Sequence, residues 1–183
     1  MNTTAPTEIF TRAPHDALPI CLAPVAELFG MNRRLHDAAV LPRMIIVVSR
    51  FDHALLNLLY QVRVGWLRAE IVAIVSNHQE SETTARQAGI PYYYWPVTPQ
   101  NKTEQESRLQ ELVHTTQADL IVLARDMQVL SDNLSAQFSG RIINIPHSFL
   151  PSFKGARPYH QAYARGVKLI GATAHYVTAD LDE

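Results

Sequence analysis

The segment Met44–Val62, MIIVVSRFDHALLNLLYQV, contains a complete strand, turn and helix. It begins with an unbroken apolar run, which is typical of a strand buried on both faces of a sheet. The leucines that follow recur at helical spacing, and Asp52 stands where a helix N-cap is expected. A buried strand that leads directly into a helix predicts a parallel sheet with helices packed on its faces.

The same alternation continues along the rest of the chain. Further strands are predicted at residues 70–75, 92–95, 120–123, 142–145 and 172–177, and further helices at 81–87, 102–114, 131–138 and 159–165. Because strands and helices alternate, we predict an α/β fold with a doubly wound, mostly parallel, Rossmann-like sheet. Ligands of such a sheet bind at the carboxyl ends of the strands.

The composition excludes several classes of protein. The 183 residues can bury a sizeable core, and 16 Lys and Arg against 17 Asp and Glu leave no basic excess for a nucleic-acid partner. The single cysteine, Cys21, excludes an internal disulfide or a cysteine metal cluster and fits a reducing cytoplasm. No apolar run is long enough to span a membrane, and the first residues lack the pattern of a secretion signal.

The start of the chain has a different character from the remainder. Met1–Ile20 is rich in Thr, Pro and Ala without periodicity, and we interpret it as a disordered leader or an artefact of gene assembly. In residues 21–42, apolar side chains at Leu22, Val25 and Leu28 predict a short helix that Gly30 ends. The compact fold is therefore expected from about residue 43 onward.

Polar side chains cluster in the segment Arg141–Gly155, RIINIPHSFLPSFKG, where a predicted strand runs into a loop. Asn144 and His147 stand at this strand end, and Asp180 and Asp182 follow the next predicted strand. An amide can stabilise a developing oxyanion, and a carboxylate can orient or deprotonate a water molecule. The groups suit acyl or formyl transfer, although Asn and Asp in loops also form turns.

Two other strand ends have simpler interpretations. The turn Ser49–His53 has no glycine to bring backbone N–H groups close to a phosphate, and Arg50 is more simply a solvated charge than an anion ligand. The aromatic run Tyr92–Trp95 is more simply sheet packing than a platform for stacking bases, since the chain has no basic excess.

Several segments together carry the pattern of one family. They are LHDAA at Leu35, VVSRFDHALLNLLY at Val47, VSNH at Val75, IPYYYWPVT at Ile90, VLARDMQVLS at Val122 and INIPHSFLPSFKGARPYHQAYARGVKLIGATAHYVTADLDE at Ile143. In this order, over about residues 22–183, they resemble the folate-dependent formyltransferase family and, within it, its deformylase branch.

The resemblance implies a specific reaction. It is the hydrolysis of 10-formyltetrahydrofolate to formate and tetrahydrofolate, in the cytoplasm, with the formate supplying purine biosynthesis. Asn144 and Asp182 match the family's catalytic amide and carboxylate. No metal and no cofactor is implied, and formation of a homo-oligomer stays open. The residues that match the folate-contacting positions are Met127, Gln128, Val129, Leu130, Thr178, Ala179 and Asp180.

The chain departs from the family pattern at the position of the catalytic histidine, which falls on Pro146. Residues two apart in a strand share a face, so residue 146 is expected to face the same site as Asn144, while His147 is expected to face away. His147 is therefore not an automatic replacement, and Pro146 has no proton to transfer. Asp126 also stands where the branch has an aromatic residue.

The family pattern extends beyond both ends of this chain. Residues 21–42 match the end of an amino-terminal ACT-type regulatory domain and its linker, and residues 43–183 match a formyltransferase-like catalytic domain that stops before the family's Gly-Pro. We therefore expect an incomplete catalytic domain of poor solubility. Two alternatives stay open: an inactive folate-binding fragment, and a formyltransferase with another acceptor, which the glycine-free first turn disfavours.

Two histidines outside this loop, His160 and His175, also match family positions. His175 lies in an apolar strand, so we interpret it as a core histidine or one that supports the site from behind rather than as a catalyst.

Overall fold

The computed structural model describes residues 17–31, 37, 39–124, 130–146, 157–171 and 173–177. The chain divides into two compact units, residues 1–41 and 42–183. In the first unit, helix α1 (Ala17–Leu28) is followed by Gly30, whose φ of +59° ends the helix. The helix predicted before Gly30 is confirmed, and it begins within the stretch interpreted as a leader.

The second unit contains six strands and five helices within the described residues. They are β1 (Arg43–Val48), α2 (His53–Arg63), β2 (Glu70–Ser76), α3 (Glu82–Gln87), β3 (Tyr92–Tyr94), α4 (Lys102–Thr116), β4 (Leu120–Ala124), α5 (Asp132–Gln137), β5 (Ile142–Ile145), α6 (Pro158–Ala164) and β6 (His175–Tyr176). Each strand and helix that the sequence predicts in this unit is present.

The strands form one sheet in the order β3-β2-β1-β4-β5-β6. The first five are parallel, and β6 pairs antiparallel with β5. The chain builds outward from β1 to β3, crosses back to β4, and then builds in the opposite direction. The predicted doubly wound, mostly parallel sheet is therefore confirmed, with its reversal of strand order between β1 and β4.

The two faces of the sheet bury separate hydrophobic clusters. On one face, called here the α4 face, α4 and α5 pack through Leu109, Leu112, Leu134 and Phe138 against strand residues such as Ile45. On the other, called here the α2 face, Leu55 of α2 and Ala85 of α3 pack on Met44, Ile46 and Val48. Because both faces of β1 are covered, its apolar run is continuous rather than alternating.

Two local predictions need correction. The last strand was expected over residues 172–177, but among the described residues 173–177 only His175–Tyr176 form a strand, and Val177 adds one backbone hydrogen bond to Ile142. Asp52 occupies the N-cap position of α2 but makes no side-chain cap hydrogen bond. Ser131 does cap α5, since its Oγ accepts the backbone N–H of Leu134 at 3.3 Å.

No helix in the described part of the chain is both long and apolar enough to cross a membrane.

Candidate active site

The candidate site lies at the carboxyl ends of the central strands, on the α4 face. Val75, Val47, Leu123 and Asn144 are successive partners in the strand register from β2 to β5, and we call them the carboxyl-end row. Val75, Val47 and Leu123 belong to the α4-face cluster. Asn144 pairs with Leu123 and therefore continues the row on the same face, about 10 Å from Val47 at the usual strand spacing.

Asn144 is held by neighbours on both sides. It is partly buried in β5, between Leu123 of β4 and His175 of β6. Its Oδ1 is buried and has no hydrogen-bond partner in the part of the chain that the structure describes. A buried acceptor without a partner costs free energy unless a ligand or water satisfies it. Asn144 thus has a defined place between two strands and one acceptor that no described residue satisfies.

The neighbours of Asn144 in the strand show which face of the sheet it occupies. Ile142 belongs to the α4-face cluster, while Ile145 packs against the α2-face cluster. Alternation therefore places Asn144 on the α4 face, and continued one residue beyond the strand it would bring the half-buried Pro146 to that face as well. The residue that replaces the family's histidine thus follows directly on the strand that carries the candidate amide.

His175 occupies a position that the sequence did not reveal. It is the antiparallel partner of Asn144, and directly opposed residues have Cβ atoms only ~5 Å apart. The side chain is partly buried. An imidazole therefore stands next to the candidate amide even though residue 146 is a proline. The pairing of His175 with Asn144 could not be predicted, because the sequence pattern does not indicate that β6 runs antiparallel to β5.

The antiparallel direction of β6 also bears on the expected position of residues 178–183. Residues 178–183 were expected beside Asn144 because the ends of parallel strands share an edge of the sheet. β6 runs antiparallel, so strand direction does not bring these residues to Asn144, and their assignment to the site rests on the family resemblance alone. The candidate residues there and in two other segments lie outside the described residues, and their roles stay predictions. They are Met127, Gln128, Val129, His147, Thr178, Ala179, Asp180 and Asp182.

A cavity of about 60 Å³ opens beside the carboxyl-end row. Val75, Val47 and Leu123 of that row line it from the sheet. Leu130, the one predicted folate-contacting residue that the structure describes, lines it as well and packs against the α4-face cluster. The cavity thus lies at the reversal of strand order, where α/β sheets usually bind ligands.

Ser131, which follows Leu130, is held by a hydrogen bond to a side chain of helix α4. The Glu106 carboxylate accepts the backbone N–H of Ser131 at 2.9 Å, and its Oε1 also lies 3.9 Å from Lys102 Nζ. Glu106 is largely buried, with 15% of its side chain exposed. The contact joins α4 to the start of α5 next to the predicted folate segment, a role that sequence spacing does not reveal.

The first turn of the sheet offers little to an anion. Arg50 is 70% exposed, and its Nε lies 3.7 Å from Glu80 Oε1. The turn contains no glycine. This agrees with the interpretation of Arg50 as a surface charge rather than a phosphate ligand.

The pKa of Tyr92 is shifted; this residue lies in β3, which pairs with β2. Burial raises the pKa of the Tyr92 hydroxyl above 10.0; Glu82 and Glu80 add to this effect, and a hydrogen bond with Ser76 opposes it. The hydroxyl donates to the backbone carbonyl of His78. Among the described residues, no cluster of His, Cys, Asp and Glu has the composition to hold a metal ion.

Comparison with known proteins identifies the family. The formyl transferase family model matches residues 42–183. The chain therefore belongs to the formyl transferase family, as its sequence resemblance indicates.

Individual relatives refine this placement. The chain is 46% identical to the formyltetrahydrofolate deformylase of Corynebacterium sp. (strain P-1), over 92% of its own length and 59% of that protein. The crystal structure of the Burkholderia mallei formyltetrahydrofolate deformylase matches with a TM-score of 0.80 and 51% identity, over 92% of this chain and 60% of that one. The chain thus spans about three fifths of the length of these relatives.

A second branch of the family is more distant. The phosphoribosylglycinamide formyltransferase of Coxiella burnetii matches with a TM-score of 0.70 and 33% identity, over 79% of this chain and 69% of that one. Both the identity and the structural agreement are thus higher for the deformylase named above.

Proposed function

We propose that this chain carries part of a formyltetrahydrofolate deformylase, which hydrolyses 10-formyltetrahydrofolate to formate and tetrahydrofolate. The main support is Asn144, a partly buried amide fixed between two strands at the carboxyl edge of the sheet. Its neighbours along the chain also follow the deformylase pattern. The higher identity to deformylases than to a transferase supports water, rather than an amine, as the acceptor.

In the proposed reaction, water attacks the formyl carbon and the carbonyl oxygen becomes negatively charged. Asn144 Nδ2 donates a hydrogen bond to that oxyanion, and the Asp182 carboxylate orients the water and accepts its proton. Collapse of the intermediate breaks the bond to N10 of the folate, which takes up a proton, and formate leaves. The reaction balances without a metal or a redox cofactor.

An imidazole is needed to move protons efficiently, and Pro146 cannot supply it. We propose that His175 partly fills this role, since it is paired with Asn144 across the β5–β6 ladder. His147 is the alternative and requires a shift of the loop that follows the strand. Either route is expected to be slower than that of an enzyme with histidine at position 146.

We propose that folate lies against residues 127–130 and residues 178–180. The support for the first segment is Leu130, which lines the cavity beside the carboxyl-end row. The absence of glycine in the first turn supports the choice of water as acceptor, because a phosphate-bearing acceptor needs close backbone N–H groups. Cytoplasmic location, a role of the formate in purine biosynthesis and homo-oligomer formation also stay proposals.

Residues 21–42 are assigned, as a proposal, to the end of an ACT-type regulatory domain and its linker. The compact unit 42–183 agrees in extent with the family match and supports the assignment of the remainder to the catalytic domain.

Formate release from 10-formyltetrahydrofolate tests the proposal. We expect Pro146→His to raise the rate by ~10²- to 10⁴-fold over the unchanged chain, since this is the usual contribution of a general acid or base. Introducing Asn144→Ala into that variant should remove the gain. No gain from Pro146→His, with the fold intact by circular dichroism, would contradict the proposed hydrolysis.

A second candidate function is favoured by Pro146 itself: folate binding without turnover. Calorimetry with a folate analogue separates the two. Binding together with formate release supports the hydrolase, and binding without release, even in Pro146→His, selects the binding fragment.

A further inference from the structure

Helix α2 is apolar on the side that faces away from the sheet as well as on the side that packs against it. On the inner side, Leu55 and Leu58 belong to the α2-face cluster or pack against it. On the outer side, Leu56, Tyr60 and Val64 recur every four residues and are 47%, 46% and 40% exposed. We call these three residues the outer stripe. A helix that is apolar on both sides is usually covered on both sides.

The contrast with α4 shows that the outer stripe differs from the usual solvent-facing side of a helix. Arg63 is the one residue among the eleven of α2 that is Lys, Arg, Asp or Glu, whereas the fifteen residues of α4 include five. On the outside of α4, Glu104 and Arg108 form an exposed ion pair of 2.7 Å. The outside of α2 is therefore better suited to contact with another apolar surface than to contact with water.

Two exposed aromatic residues extend this apolar surface at the ends of the helix. Phe51 precedes α2 and is 62% exposed, and Trp66 follows it and is 76% exposed. Together with the outer stripe they present apolar area on the order of 500 Å², since a fully exposed aromatic side chain offers roughly 200 Å². Single exposed apolar residues are normal, but five within residues 51–66 are typical of a protein–protein contact.

The apolar groups have nearly the same order from either end of α2. Leu56 and Tyr60 lie two residues before and two residues after position 58, the middle of the helix. Phe51 lies seven residues before that position and Trp66 eight residues after it. A two-fold axis through the middle of two antiparallel helices places each group opposite its counterpart in the second copy. The surface is therefore self-complementary in its apolar groups.

The charges at the two ends of α2 have the same symmetry with opposite sign. Asp52 occupies the N-cap position and makes no side-chain cap hydrogen bond, and Arg63 lies in the last turn. The Arg63 guanidinium lies over the ring of Tyr60, 5.7 Å from its centroid, and therefore beside the outer stripe. In an antiparallel pair, Asp52 of each copy approaches Arg63 of the other, because their distances from the middle differ by one residue, or ~1.5 Å. A parallel pair would bring like charges together instead.

We propose that the outer stripe, with Phe51 and Trp66, binds the same surface of a second copy of this chain in an antiparallel, two-fold dimer. The inference assigns a surface to the proposed homo-oligomer and holds whether or not the chain hydrolyses folate. A stable interface buries about 800 Å² on each partner, and the apolar groups here supply somewhat more than half of that. We therefore expect a weak dimer with a Kd on the order of 10 μM.

Sedimentation velocity on the whole chain, from about 1 to about 100 μM, tests the proposal. Asp52→Arg and Arg63→Asp each place like charges at both contacts of the dimer and should weaken it roughly 10-fold. An equimolar mixture of the two variants should form a heterodimer about as strong as the unsubstituted dimer, because both contacts are then attractive. Leu56→Lys places a charge in the centre of the interface and should weaken the dimer more than either charge variant.

Arg108→Asp is the matched control, since it makes the same change of charge on α4 and should leave the Kd unchanged. Circular dichroism checks the helical content of each variant. If a charge variant fails to fold, Leu56→Lys decides, because position 56 is half exposed and tolerates a polar side chain. A monomer at every concentration, a dimer that Leu56→Lys does not weaken, or folded charge variants that do not associate when mixed would overturn the proposal and leave the outer stripe to another segment or partner.

Discussion

The two ends of the sheet are built on opposite principles. At the amino end, Arg43 and Asp119 exchange two hydrogen bonds of 2.8 Å, and Arg43 Nε donates to the Thr116 carbonyl at 2.8 Å. Arg141 adds bonds to the carbonyls of Asp119 and Ala118. The polar groups named here are thus satisfied by one another. At the carboxyl end, four buried side-chain oxygens have no partner among the described residues: Asn77 Oδ1, Ser81 Oγ, Gln105 Oε1 and Asn144 Oδ1.

This difference suggests that the amino ends of the strands contribute mainly to stability and the carboxyl ends mainly to binding. A satisfied network lowers the free energy of the folded state, while an unsatisfied buried acceptor raises it until a ligand arrives. Substitutions at the amino end should therefore change stability, and substitutions at the carboxyl end should change binding and catalysis first.

The largest expected effect is at Asn144. In the Pro146→His background, Asn144→Leu should lower kcat for formate release by ~10²- to 10³-fold, because a hydrogen bond to the oxyanion is lost. The melting temperature should change little, since the replaced oxygen has no partner. A loss of both stability and activity would show that the two ends are not functionally separate.

Glu106 should have the next largest effect, although it lies at the carboxyl end. Glu106→Ala removes a largely buried carboxylate that accepts the Ser131 N–H, and we expect a loss of about 2 kcal/mol in the free energy of unfolding. Glu104→Ala is the matched control, because Glu104 pairs with Arg108 in solvent. Urea denaturation measures both, and equal losses would contradict the role assigned to Glu106.

At the amino end, Asp119→Ala should cost about 1 kcal/mol, because it removes the acceptor for the Arg43 N–H in an exposed setting. In the Pro146→His background, the rate of formate release should be unchanged, because Asp119 lies at the amino end of the strands. A change in that rate would mean that the two ends are coupled through β1 and β4.

The smallest effect concerns Tyr92 and pH. The pKa of Tyr92 is raised by burial, so the unfolded chain loses this proton first as the pH rises. Its contribution is therefore complete below about pH 10 and is lost above it. Tyr92→Phe should make the free energy of unfolding decline less steeply above that pH, and the exposed Tyr163→Phe should not. Identical pH profiles for both variants would refute this.

The sheet could be predicted from sequence because its signals are local. The apolar run of β1 and the glycines that follow most of the helices identify elements without knowledge of their neighbours. The direction of β6 could not be predicted, since it depends on pairing with β5. For the same reason the sequence identified Asn144 but not the position of His175 beside it.

The cavity was missed for a related reason. Asn77 and Gln105 are separated in the chain by α3 and β3 and come together only when α4 packs on the sheet. The contact between Glu106 and Ser131 likewise joins two elements across β4. The spacing of residues along the chain predicts which face of one helix or strand is buried. It does not predict contacts between residues that follow β2, lie in α4 and precede α5.

Because β6 has only two residues, its local separation from β5 should be frequent enough to measure. A ladder this short separates at a lower free energy than global unfolding, so its amides should exchange with deuterium well before those of β1, which is paired on both sides. Each separation of β6 from β5 moves His175 away from Asn144 and exposes the side-chain amide of Asn144 to solvent. Exchange at the Val177 amide, which donates to the Ile142 carbonyl at 2.9 Å, therefore reports how often this pair comes apart.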